Sequence, residues 1–219
     1  MAENERDPTW DEENPRSPAR LPDRRAPKRV VVHSSERVFD GFFRIDEAIV
    51  EYERFDGRMS GPMRRLVFER GDAVAVLPTD RERRQVVLVR QFRYPAFVRD
   101  GRGWLWEIIA GMQDEGRDAE SVARAEAMEE AGYELGQLRH VMTVYPSPGG
   151  STERVHIYVA EIRPESRVSE GGGLPRDGED ILVRSFSLEE AMAMIGEGRI
   201  VDAKTVIALQ HLALHWDEL

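Results

Sequence analysis

Apolar residues fall along the chain in short alternating or continuous runs parted by charged and glycine-containing turns, a pattern that predicts strands for much of the chain. The stretch VVVHSSERVFDGFFRIDEAIVEYERFDGRMSGPMRRLVFERG, from Val30 to Gly71, predicts a small N-terminal sheet, with Asp56-Gly57 the clearest hairpin signal. AVAVLP (73–78) and QVVLVRQF (85–92) read as two apolar strands around a charged turn at Thr79 to Arg84. WLWEIIAG (104–111) reads as one further strand ending on glycine. Later strands are expected at LRHVMTVY (138–145), RVHIYVAEI (154–162) and ILVRSF (181–186).

Three segments change period and predict helices. The first starts at Asp118, a plausible N-cap, and stops at Gly132 in the C′ position, with Ala123, Ala127, Met128 and Ala131 able to face a core. Ser187-Leu-Glu-Glu190 has the form of a capping box and opens a second helix to about Ile195. The third runs roughly from Ala203 to Trp216. No internal repeat is visible. The order predicts a mixed sheet with helices packed on it, an α+β or α/β sandwich.

Residues 1–28 hold five of the twelve prolines and little apolar content, and are expected to form a disordered or loosely docked tail. Residues 29–70 then form the small sheet and 71–219 the main domain. The loop 164–180, rich in glycine and acids, is long enough to expect a function in it. Its Gly171-Gly172-Gly173 lacks a strand before and a helix after, so it is no dinucleotide fingerprint.

The first helix carries the chemistry. In AEAMEEAG, Glu126, Glu129 and Glu130 stand at i, i+3 and i+4, which stacks their carboxylates on one helical face. Each like-charged pair costs roughly 0.2–0.5 kcal/mol, unless a hard divalent cation sits among the oxygens and reverses the sign. The bland alternative is a solvated acidic face.

Charge narrows the partners. Across 219 residues, 41 acidic against 31 basic side chains give a net charge of -10, which argues against nucleic acid or an anionic membrane as main partner. A small anionic substrate remains open. There is no cysteine, which removes disulfides, thiol catalysis and thiolate metal sites. With no apolar leader core and no run near the roughly 18 apolar residues of a membrane span, the expectation is a cytoplasmic enzyme.

Together with the strand before it, AGMQDEGRDAESVARAEAMEEAGY resembles the Nudix box, G-x5-E-x7-R-E-U-x-E-E-x-G-U, with Gly111, Glu126, Glu129, Glu130 and Gly132 at the required spacings. Two positions depart from it. Arg117 stands where the first box glutamate is expected, and Ala125 replaces the box arginine, which in the family helps orient the carboxylates. Arg124 or Arg117 are the candidates to substitute for it. The segments GFFRID (41–46), MRRLVFERG (63–71), VVLVRQFRYPA (86–96), YPSPGGSTE (145–153), DGEDI (177–181) and DAKTVIALQHL (202–212) extend the resemblance over nearly everything after the tail. They are similar to the ADP-ribose and GDP-mannose pyrophosphatase branch of the Nudix hydrolases.

The resemblance implies a Nudix fold with a mixed sheet, and a homodimer swapped through the N-terminal sheet. It implies Mg²⁺ or Mn²⁺ held by Ala110, Glu126, Glu129, Glu130 and Glu179, with Glu129, Glu130, Glu179 and Asp177 as the catalytic acids. Phe42 would stack on the nucleobase, Arg65 and Arg93 would hold phosphates or base, Met112 would lie against the ribose, and Gly149 and Gly150 would touch substrate. The implied reaction is hydrolysis of a nucleoside diphosphate sugar, ADP-ribose first and GDP-mannose or another sugar nucleotide second. The departures at Arg117 and Ala125 leave a weakened or non-catalytic nucleotide-sugar binding module as the rival reading.

Overall fold

Strands β4 (Ala73–Asp80) and β5 (Gln85–Phe92) are buried on both faces, and their alternation divides them between two cores. Ala75, Leu77, Val86 and Leu88 point into one, and Val74, Val76, Val87 and Val89 into the other. Because successive side chains leave a strand on opposite sides, an unbroken aliphatic run here means helices on both faces. The computed structural model describes residues 29–113, 116–174, 176 and 178–218; the expected tail, 1–28, lies outside the described residues. Contact density divides the chain after Glu69.

In the larger unit, a seven-stranded mixed sheet runs in the order β10-β5-β4-β9-β8, with β8 Leu138–Val144, β9 Val155–Glu161 and β10 Leu182–Ser187. The β4–β9 pair is parallel, Ala73 opposite Val155, and the other pairs are antiparallel. Helices α3 (Leu188–Gly196) and α4 (Ala203–Leu214) cover the first core with Ala191, Met194, Leu209 and Leu212. Helix α2 (Ala119–Glu126) covers the second with Val122 and Ala123. The caps Asp118 and Ser187 are those that the sequence predicts, accepting from the backbone N–H of Ser121 and Glu190, and Asp202 caps α4 in the same way through Thr205 N–H.

The segment WLWEIIAG is two strands, not the one expected. β4 and β5 pair only beside their turn, at Thr79–Val86 and Asp80–Gln85, and then diverge. Into the gap come β6 (Trp104–Glu107) along β5 and β7 (Ile109–Met112) along β4. The chain changes partner at Ile108, whose N–H is held by Thr205 Oγ1 at 2.8 Å. A seven-residue helix, α1 (Tyr94–Asp100), follows β5 with proline in its first turn; no helix was expected there.

The smaller unit is an antiparallel sheet β1-β2-β3, of Val30–Asp40, Arg44–Tyr52 and Met63–Glu69. Asp56 and Gly57 do form a hairpin tip, in the connection between β2 and β3: Gly57, at φ +81°, donates to Arg54 O, Arg54 N–H donates to Arg58 O, and Glu53 bridges Met59 antiparallel. Among the described residues of this unit only Ala48 is a buried hydrophobic, while Val30, Val32, Phe39, Phe42, Phe55 and Leu66 are exposed. Leu77→Ala, at the centre of the larger unit, should lower its stability by about 2–5 kcal/mol, read as a lower urea midpoint with unchanged slope.

Candidate active site

Glu130 is the only one of the three helix glutamates that is buried; Glu126 is half-buried and Glu129 exposed. The three carboxylates are therefore unequally enclosed. The α-helix ends at Glu126, and Ala127–Ala131 wind as a π-helix, with the Tyr133 N–H reaching back to Ala127 O. A wider turn re-aims the side chains that follow it, and such insertions are common at functional sites.

Two strips of backbone close around this turn, and both need glycine. On one side, Gly111 in β7 lies directly under Glu126, whose carboxylate fills the place a Cβ would take. On the other, Gly172 N–H donates to Glu130 O at 2.9 Å and Gly173 N–H to Glu129 O at 3.1 Å. A Cβ on Gly171 would lie 2.6 Å from Glu130 O, and the residue sits at φ +70°. The glycine triplet thus straps loop 164–180 to the acidic turn. Further along the loop, Glu179 folds back to accept from Leu174 N–H at 2.8 Å, its Oε2 over Gly173.

The electrostatics follow from this enclosure. Burial pushes the Glu130 carboxyl up, Glu126 and Glu179 push it further, and the Ala110 N–H at 3.3 Å and Arg93 pull against them; the result is about 8. Among the described residues, no three acidic or histidine side chains already converge as a metal cluster. The donors nonetheless suit a hard divalent cation, because oxygen ligands whose mutual repulsion raises Glu130 are what such an ion would stabilise.

Beside the acids lies a group that the sequence reading missed. Glu107, at the end of β6, is 2% exposed. It accepts from Arg93 Nε at 2.8 Å and Nη2 at 2.9 Å, and from Lys204 Nζ at 2.6 Å. Lys204 also reaches Asp202 at 3.0 Å. Burial alone would raise the Glu107 carboxyl, but the two cations outweigh it and hold the acid at about 2. The only sequence signal was a lone glutamate in an apolar strand.

The structure brings together Glu126, Glu130 and Glu179, with Ala110 and Gly111 beneath them. Met112 ends β7 beside Gly111, partly exposed. Gly149 and Gly150 lie in an exposed turn closed by Ser147 O. Asp177 lies outside the described residues. Phe42, 83% exposed, and Arg65, whose guanidinium touches Arg64 O and Met63 Sδ, belong to the smaller unit. Arg124 does not take the place of the box arginine: it donates to the carbonyls of Leu135 and Gly136.

Comparison with known proteins agrees with this geometry. The family model described as NUDIX domain matches residues 69–209. An ADP-ribose pyrophosphatase of Escherichia coli strain K12 is 41% identical over 191 residues, covering 87% of this chain and 90% of that protein. A GDP-mannose pyrophosphatase of Cronobacter sakazakii is 39% identical over 176 residues, 80% of this chain and 90% of the other. The crystal structure of an ADP compounds hydrolase superposes with a TM-score of 0.68 at 19% identity, covering 88% of this chain and 97% of that one, and shares the fold.

The Glu107 network makes an acid-stability prediction. A carboxyl lowered in the folded state stabilises fully above its unfolded value of 4.5, and the gain is lost as pH falls toward 2; the difference amounts to about 3 kcal/mol. Urea unfolding followed between pH 6 and pH 2 should show this loss. In Glu107→Gln that component should be missing, and stability at pH 7 should be lower by about 3–5 kcal/mol, because Arg93 and Lys204 are left unpaired.

Proposed function

This chain belongs to the NUDIX family of hydrolases, and we propose that it hydrolyses the pyrophosphate bond of nucleoside diphosphate sugars, ADP-ribose foremost, to give AMP and ribose 5-phosphate. The observation that carries this reading is Glu130, a buried carboxylate pressed by Glu126 and Glu179 on a turn strapped from both sides. Glu126, Glu129, Glu130, Glu179 and the Ala110 carbonyl are the groups that would hold Mg²⁺ or Mn²⁺. An ion held there would offset pyrophosphate charge and lower the pKa of a water, so that its hydroxide form is available to attack phosphorus.

The chain's own residues do the rest. Glu107 fixes the Arg93 guanidinium by its Nε and Nη2 edge, leaving Nη1 to face a phosphate. Glu179, and with it Asp177, stands in the loop that supplies the base for the attacking water. Gly111 keeps Glu126 in place without the box arginine, so Ala125 need not mean lost activity. Met112 lies against the ribose, and Gly149 and Gly150 bound the substrate.

A second copy of the chain completes the assembly. A three-stranded sheet with one buried hydrophobic does not make a core of its own, and its exposed Val, Phe and Leu side chains ask for a partner surface. Phe42 and Arg65 would then serve the base and phosphates of the partner's substrate. GDP-mannose is the second substrate to consider, since a relative of 39% identity carries that activity in its name.

A panel of sugar nucleotides with Mg²⁺, read by product chromatography, tests the reaction. Release of AMP and ribose 5-phosphate from ADP-ribose is expected. Binding without turnover across the panel would replace the hydrolase by a nucleotide-sugar binding module. Glu130→Gln should lower kcat/KM about 100-fold or more, near 3 kcal/mol of transition-state stabilisation, with the fold retained. An unchanged rate would remove Glu130 from the site. For the assembly, light scattering should give twice the chain mass, and Phe39→Asp should halve it; a monomeric active protein would defeat the swap.

A further inference from the structure

On the α3–α4 face of the sheet, strands β6, β5 and β10 and the segment after α3 enclose an open groove of about 570 Å³. Arg90, Arg102, Arg184 and Arg199 line it together with Trp104 and Trp106, and no carboxylate is among its lining residues. In a chain of net charge -10 this is a local reversal of sign. Volumes of this order suit a ligand of nucleotide size.

The four arginines are not equivalent. Arg102 is paired with Asp100 at 2.9 Å and Arg199 with Glu197 at 3.1 Å. Among the described residues, neither Arg90 nor Arg184 has a carboxylate partner. Each lies instead on an aromatic ring, Arg90 at 5.7 Å from the Trp106 centroid and Arg184 at 5.0 Å from that of Phe186. Trp106 in turn stands edge-on to Phe186, at 4.9 Å. Both guanidiniums thus rest on one touching pair of rings, which does not neutralise them. Arg90 Nε is also buried with no hydrogen-bond partner, an arrangement that proteins rarely leave without purpose.

Register places these groups in line. On β5, Arg90 is opposite both Leu182 of β10 and Trp106 of β6, Leu88 is opposite Arg184, and Phe92 is opposite Trp104. Trp104 is 47% exposed, with one side on Phe92. Two strand spacings and four residues separate Arg184 from Trp104, about 16 Å between backbones, with Arg90 between them in the register. Guanidiniums suit phosphate, and an exposed indole suits a planar base.

We propose that this groove is a second ligand site, separate from the carboxylate cluster, that takes a nucleoside monophosphate with its phosphate between Arg90 and Arg184 and its base on Trp104. The site depends on none of the catalytic groups. It therefore stands or falls apart from the hydrolase reading.

The test is titration of the full chain with AMP in EDTA, which keeps divalent cations from the carboxylates, followed by calorimetry and tryptophan fluorescence. Saturable binding below about 1 mM is expected at low salt, at least tenfold weaker in Arg184→Ser and in Arg90→Gln. Adenosine and inorganic phosphate should each bind at least tenfold more weakly than AMP. Arg184 is exposed, so its variant keeps the fold and decides the matter if Arg90→Gln does not fold. Absence of saturable binding would overturn the site. So would AMP binding that Arg184→Ser leaves unchanged, or phosphate alone binding as tightly as AMP, which would leave the base without a role.

Discussion

Two glutamates are buried in the same region of one fold, and they are driven in opposite directions. Glu107 meets Arg93 and Lys204 and is held at about 2; Glu130 meets Glu126 and Glu179 and is raised to about 8. A carboxylate taken out of water needs positive charge, and the chain supplies it for the first and withholds it from the second. Much else follows from that asymmetry. The first site locks β6, the residue after β5 and the start of α4 into one ionic joint. The second has the Ala110 N–H as its hydrogen-bond donor, with Arg93 too weak to offset its acidic neighbours, and backbone strips hold the turn that carries it.

Backbone fixing explains why glycine and an irregular helix collect around the acids. An arginine in the box would orient the carboxylates by charge. Here Ala125 cannot, and Arg124 is committed to the carbonyls of Leu135 and Gly136. Gly111 instead lets Glu126 lie flat on β7, and the Gly171–Gly173 strap ties up the carbonyls that the π turn exposes. Sterics and hydrogen bonds thus take over part of what charge does in the box pattern.

The layered core was legible in the sequence because period and capping are local. The aliphatic runs of β4 and β5, and the caps Asp118 and Ser187, each follow from a few neighbouring residues. What escaped was non-local. WLWEIIAG has the composition of a single strand, and only the divergence of β4 from β5 breaks it at Ile108. Within the site, the spacing of Glu126 and Glu130 marked two residues that do lie together, but their unequal burial depends on a π turn that no periodicity announces. Glu107 gave little signal because Lys204 comes from the far end of the chain. The glycine triplet was visible only as something it is not.

The parallel pairing of β4 with β9 bears on how the protein comes into being. β4 finds β5 at once across a short turn, but its other long edge waits for Val155–Glu161, after β6, β7, α2 and β8 have been made. Contacts so distant along the chain slow folding, since loop entropy is lost before they form. On the ribosome, the acidic turn is thus synthesised before the strand that completes the sheet beneath it. Catalytic competence should be a late and cooperative event of folding, and a nascent chain cut short before β9 should leave the aliphatic edge of β4 open to aggregation.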